Sequence, residues 1–183
     1  MNTAFATQTN PRRGRPNDFL ADQNGATAVE FGLVAAPFIA LLVAIIQTFL
    51  VFFAEQLLQT VVTQSSRQIL TNQVQTANLT QSQFAQLVCN QVAIFFTCNN
   101  LMIDVETYGA FSAANTSMPT LTFNAQGQVT NSWQFDPGAP GQIVVVRVMY
   151  QWPVFVGPLG FTLSNLANGN RLIMGSAAFQ NEP

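Results

Sequence analysis

The sequence predicts an α+β fold: a long N-terminal transmembrane helix that continues into a small periplasmic domain with a second helix and an antiparallel sheet of three to four strands. Three observations lead there. Between Glu30 and Glu55 the chain runs FGLVAAPFIALLVAIIQTFLVFFA without a charge. Past that run the apolar residues take a one-sided helical spacing, and from residue 100 the chain turns to β-branched and aromatic runs broken by Pro and Gly. Helices followed by strands, rather than alternating with them, is the layer pattern of an α+β domain.

Residues 1–25 form a basic leader. They are polar, carry Pro11, Pro16, Arg12, Arg13 and Arg15, and show no helical or strand period. The uncharged run after Glu30 reaches roughly 36 Å as a helix at 1.5 Å per residue, enough to cross a hydrocarbon core of about 30 Å. A cleavable secretory signal would have a shorter apolar region and a small-residue exit, whereas this run leaves through Phe52, Phe53 and Ala54. A buried core helix of this length could hardly be surrounded by so small a domain. The arginines lie upstream of the span, so the positive-inside rule places the N-terminus in the cytoplasm and the rest of the chain, after a single pass, outside it. Pro37 removes a backbone donor inside the span, and a local bend is expected there.

Beyond the span, Leu57, Leu58, Val61, Val62 and Ile69 share one side of a helix, and Gln56, Gln59, Thr63, Gln64 and Arg67 share the other. The first helix is therefore expected to continue to about Thr76, giving a segment over residues 26–77 with its span at 31–54. A second helix should start near Thr80, where Thr80 and Gln83 have the capping-box spacing. Phe84, Leu87, Val88, Gln91, Val92 and Phe95 then supply a face to bury. Strands are expected at residues 101–108, 121–125, 142–152 and 171–179. The cluster at 136–141 and the Asn168, Gly169, Asn170 turn punctuate them. Residues 78–183 are thus the periplasmic α+β domain.

Composition excludes most chemistry. The chain holds no His and no Lys, which removes His-based triads, His-ligated zinc, Schiff-base lysines and the P-loop lysine. No catalytic residue, metal site or cofactor is implied, and the protein is not expected to be an enzyme. A net charge of −2 lacks the basic footprint that nucleic-acid binding needs. Asp104 and Glu106 are the closest pair of acids after residue 25 and share one face of a strand. They read as solvated strand charges rather than as an acid/base pair.

The junction NGATAVEF, residues 24–31, is the most informative stretch. It resembles a prepilin processing site, in which a membrane peptidase cuts after Gly25, leaves the apolar helix attached, and makes Ala26 the new N-terminus with Glu30 as the fifth mature residue. Residues 25–69, GATAVEFGLVAAPFIALLVAIIQTFLVFFAEQLLQTVVTQSSRQI, resemble the N-terminal signature of TadE-like pseudopilins of the tight adherence (Tad, or Flp) pilus system. The likeness extends through QFAQLVCN, CNNLMIDVETY, GQIVVVRVMYQWPVF and the terminal AAFQNEP, nearly all of residues 20–183. What the resemblance implies is a minor pilin-like subunit, processed by a prepilin peptidase and acting in pilus assembly or a related secretion apparatus. Its partners would be that peptidase, other pilin-like subunits, the assembly machinery and the inner membrane. The competing reading is an unprocessed single-pass anchor that keeps residues 1–25 and presents a periplasmic binding domain.

Three further features have two readings each. In the family's terms Glu30 pairs with the amine created at Ala26; alternatively it is an acid stabilised at a helix N-terminus. Gly32, Ala36, Ala40 and Ala44 recur every fourth residue and form either a helix-packing stripe or the ordinary small-residue content of a membrane helix. Cys89 and Cys98 are the only cysteines. In an oxidising periplasm they should form a disulfide, with two buried thiols as the alternative.

Overall fold

A computed structural model describes residues 24–155, 157 and 160–183. The arginines and prolines of the expected leader lie outside the described residues. Two compact units, Met1–Leu42 and Val43–Pro183, are taken in turn.

In the first unit the described residues belong to α1, a helix over Asn24–Leu70 that runs without interruption through Pro37. Val29, Phe31, Leu33, Val34, Phe38, Ile39 and Leu41 are all exposed. Water would not tolerate such a surface on an isolated helix, and a bilayer would. Among the described residues α1 is the one helix long and apolar enough to cross a membrane.

The second unit holds the rest of α1, a short helix α2 (Gln73–Thr76), a helix α3 (Gln81–Val92), and strands β1 (Met102–Tyr108), β2 (Ile143–Trp152) and β3 (Arg171–Gln180). The strands form one antiparallel sheet in the order β1-β2-β3. Asp104 lies opposite Arg147 on β2, and Arg147 opposite Ser176 on β3. Because side chains alternate across a strand, one face presents Ile103, Val105, Val144, Val146, Val148, Tyr150 and Ile173. These pack with Val51, Ala54, Leu58, Val61, Val62 and Ile69 of α1 and Phe84, Val88 and Val92 of α3 in the main core. The one-sided pattern of α1 beyond residue 54 is thereby accounted for by its own domain.

Helix α1 stops at Leu70, short of the end expected near Thr76. Asn72 takes a left-handed conformation, φ 57°, and its N–H donates back to the Ile69 carbonyl at 2.9 Å. Asn tolerates that region better than most residues and closes helices there. Helix α3 begins with both halves of the capping box made: Gln83 N–H donates to Thr80 Oγ1 at 3.3 Å, and Thr80 N–H donates to Gln83 Oε1 at 2.9 Å. The helix ends at Val92, so the helical period fails for Phe95, and Phe96 is buried in its place. Cys89 and Cys98 are joined, with Cα atoms 5.4 Å apart, tying the last turn of α3 to the turn before β1. Closing so short a loop is worth about 2.5–3 kcal/mol in the chain-entropy model. Replacing both cysteines by Ser should lower chemical-denaturation stability by about that amount, and reductant should reproduce the loss in the unmodified chain; equal stability with and without reductant would count against a stabilising bridge.

The run at 121–125 does not become a strand of the sheet. Phe123 makes one isolated bridge with Val129, while Leu121 joins Met102, Met149 and Leu172 in a smaller apolar cluster on the sheet's second face, with Phe123, Val129 and Trp133 packed around it. The edge it could have paired with is taken. Val105 N–H donates to the Gln134 carbonyl and Asp136 N–H to the Val105 carbonyl, so residues 134–136 cover β1. Alternation alone cannot distinguish a strand from a loop that plugs its apolar side chains into a sheet face.

Candidate functional site

The junction lies at the start of α1. Gly25, Ala26 and Glu30 are exposed, and no atom lies where a side chain on Gly25 would project. The bond between Gly25 and Ala26 falls in the first turn, where backbone N–H groups have no partner within the helix and where glycine weakens helical structure. Of the small-residue stripe, Gly32 and Ala36 are exposed and Ala40 and Ala44 half-buried. A Cβ added at Gly32 would likewise meet open space. Among the described residues, the junction and the first two positions of the stripe, Gly32 and Ala36, lie on an exposed surface of the helix.

The acids of the C-terminal domain sit differently from the sequence-based expectation. Asp104 and Arg147 are buried, with side chains only 5% and 6% exposed. Arg147 Nε donates to Asp104 Oδ2 at 3.0 Å, its Nη2 donates to the same oxygen at 2.5 Å and to Glu106 Oε1 at 2.6 Å, and its Nη1 reaches the Asn115 carbonyl at 3.3 Å. Asp104 Oδ1 accepts from the Gln134 N–H at 2.8 Å. The Tyr108 hydroxyl donates to Glu106. Burial holds the Tyr108 phenol above its ordinary range, helped by that hydrogen bond and the Glu106 charge and opposed by Arg147. Asp104 is thus no solvated strand charge: each carboxylate is committed to a guanidinium, and a buried pair satisfied this way is a structural element of the second face. The overlooked signal was Arg147 itself, a lone charge inside the apolar run QIVVVRVMYQW.

Asp136 and Glu55 are also engaged. Asp136 accepts from Thr107 Oγ1 at 2.6 Å and from the Gly138 N–H at 3.1 Å, and Glu55 pairs with Arg171 Nε at 3.1 Å. A surface cavity of about 570 Å³ is lined by neutral side chains, among them Asn99, Asn100, Gln128, Trp133 and Gln151, and contains no acid. Among the described residues no group of three or more His, Cys, Asp or Glu comes together to hold a metal.

Residues 25–67 match the family model described as TadE-like protein. The match covers α1 from the junction to Arg67, where the resemblance was strongest in sequence. Neither the curated proteins nor the solved structures yield a match.

Proposed function

We propose, from the premise that residues 25–67 are the TadE-like segment of a membrane-anchored protein associated with the tight adherence pilus system, that this chain is a minor pilin-like subunit. In this reading a prepilin peptidase matures it after Gly25, and it acts through its helix in pilus assembly or a related secretion apparatus. The observation that carries the proposal is the first half of α1. It is uncharged from Phe31 onward, exposed, and headed by Gly25, Ala26 and Glu30. A helix of that kind is built to be surrounded by lipid and then by other helices. The N-terminus is cytoplasmic and the C-terminal domain periplasmic in this scheme, as the arginines before the span favour.

Gly25 and Glu30 should separate two steps that share one segment. Gly25→Leu puts bulk beside the bond to be cut and should leave the leader attached, with pilus formation lost. Glu30 lies beyond that bond and acts afterwards, pairing with the amine created at Ala26, where a low dielectric strengthens the attraction. Glu30→Ala should therefore mature and insert, but crosslink poorly to other pilin-like subunits. Glu30→Gln keeps the shape, removes the charge and should behave like Ala. Each variant is expressed with the matching peptidase, and mature mass, crosslinking and pilus formation are scored. Normal maturation of Gly25→Leu would refute the processing step and favour an unprocessed anchor. Wild-type assembly by Glu30→Gln would reduce that carboxylate to an interfacial acid.

A further inference from the structure

The C-terminal domain reaches back along α1 into the apolar run. Glu55, the first charge after the run, pairs with Arg171 at the start of β3, and Arg171 Nη1 also holds the Leu163 carbonyl at 3.1 Å. Trp152, the last residue of β2, lies opposite Arg171. From that level the β2–β3 connection descends, because Gln47 Nε2 donates to the Phe155 carbonyl at 2.7 Å. Gln47 precedes Glu55 by eight residues, about 12 Å along a helix axis. Between Trp152 and Phe155, three residues that reach at most about 11 Å, the chain therefore descends along α1 toward Gln47.

What it carries down is apolar. Phe155 is 78% exposed. The α3–β1 turn does the same beside it, with Ile94 90% exposed and Phe95 packed edge-on to Phe53 at 5.4 Å. Side chains on a helix lean toward its N-terminus, and the Phe53 ring accordingly stacks with Phe49 at 6.1 Å, which sets Phe95 near the level of residues 49–50. No charged residue occurs between Arg67 and Asp104 or between Arg147 and Arg171, so both projections are free of charge.

Length says what covers them. A hydrocarbon core of about 30 Å takes about twenty helical residues; counted from Phe31 these end at Leu50. Val51 and Ala54, the next inward-facing positions, are 2% and 1% exposed and already belong to the domain core. Counted over these twenty residues rather than to Ala54, the bilayer would end where the domain begins, and Gln47, bonded to the Phe155 carbonyl, would lie about one turn inside that boundary.

We propose that Ile94, Phe95 and Phe155 form an apolar rim that inserts into the outer interfacial layer of the bilayer around α1, where acyl chains meet headgroups. The rim holds the domain against the membrane and fixes its rotation about the span. This rests on α1 crossing the membrane and is independent of processing and of pilus association.

The full chain is reconstituted into vesicles of phosphatidylethanolamine and phosphatidylglycerol, with some lipids carrying a nitroxide high on the acyl chain or, in a parallel preparation, near its end. Single cysteines at Ile94→Cys, Phe155→Cys, Ile39→Cys and Gln126→Cys carry an environment-sensitive fluorophore, while Cys89 and Cys98 remain joined. Ile94 and Phe155 are exposed, so these substitutions should not disturb folding. The rim predicts quenching at residues 94 and 155 by the shallow nitroxide comparable to that at 39 by the deep one, and several times that at 126 by either. Quenching at 39 alone would overturn the rim and keep the span, whereas no quenching at 39 would overturn the span and the rim with it. Shielding at 155 that vanishes on diluting protein into excess lipid would assign the patch to a second copy of the chain and also overturn the proposal.

Discussion

Arg147→Met should destabilise the C-terminal domain by about 3–5 kcal/mol, the cost of leaving a buried charge without its partner. The substitution keeps the length and apolar stem of the side chain but removes every donor that Asp104 Oδ2 receives from the guanidinium, together with the contact to Glu106. Asp104 cannot turn to solvent, because it is buried and its Oδ1 is held by the Gln134 N–H. Adding Asp104→Asn to Arg147→Met should restore much of the loss, since the amide oxygen can still accept from Gln134 while the buried charge is gone. A denaturation series on the four members of this cycle, in detergent or bilayer, measures the coupling. Additive losses would show that the pair is not linked in the way its geometry implies. Against total stabilities of about 5–15 kcal/mol, the single variant should also accumulate poorly in cells.

The second large effect is expected at Gly175 on β3. A Cβ there would stand 2.8 Å from the Leu58 carbonyl carbon and oxygen and 2.9 Å from Val62 Cγ2. Two of those three atoms are helix backbone and cannot turn aside, so any side chain must push α1 and β3 apart. One residue on, Gln59 Nε2 donates to the Ser176 carbonyl at 2.9 Å and Ser176 N–H donates to Gln59 Oε1 at 3.1 Å. That paired amide satisfies part of the outer edge of β3 and depends on the same close approach. Gly175→Ala should cost about 1–3 kcal/mol, the range for overpacking, and Gly175→Val more. Adding Val62→Ala relieves one contact and should recover only part of the loss. Gly109→Ala, where no atom lies within reach of the new Cβ, serves as the control and should be near neutral. Wild-type stability for Gly175→Ala would mean that α1 does not need to lie that close to the sheet.

How much of this was legible in advance depended on the range of the physics involved. The capping box at Thr80 and Gln83 is a local event within four residues, and its sequence spacing determined its geometry. Strands β1, β2 and β3 were readable because β-branched runs bounded by Pro and Gly have few other uses. The buried ion cluster was not readable. Asp104 and Arg147 are 43 residues apart in sequence and meet only through the β1–β2 register, so neither residue alone shows whether water or a partner satisfies it.

By itself the sequence determined the α+β class, the long apolar helix and the TadE-like segment, because an uncharged run of this length and its junction act through composition and immediate neighbours. Only the tertiary structure decided where α1 ends, which of Phe95 and Phe96 is buried, that residues 121–125 plug a sheet face instead of pairing, and that Arg147 is the partner of Asp104. Each of those depends on what a distant segment brings to within a few ångströms, and periodicity along the chain carries no record of that distance.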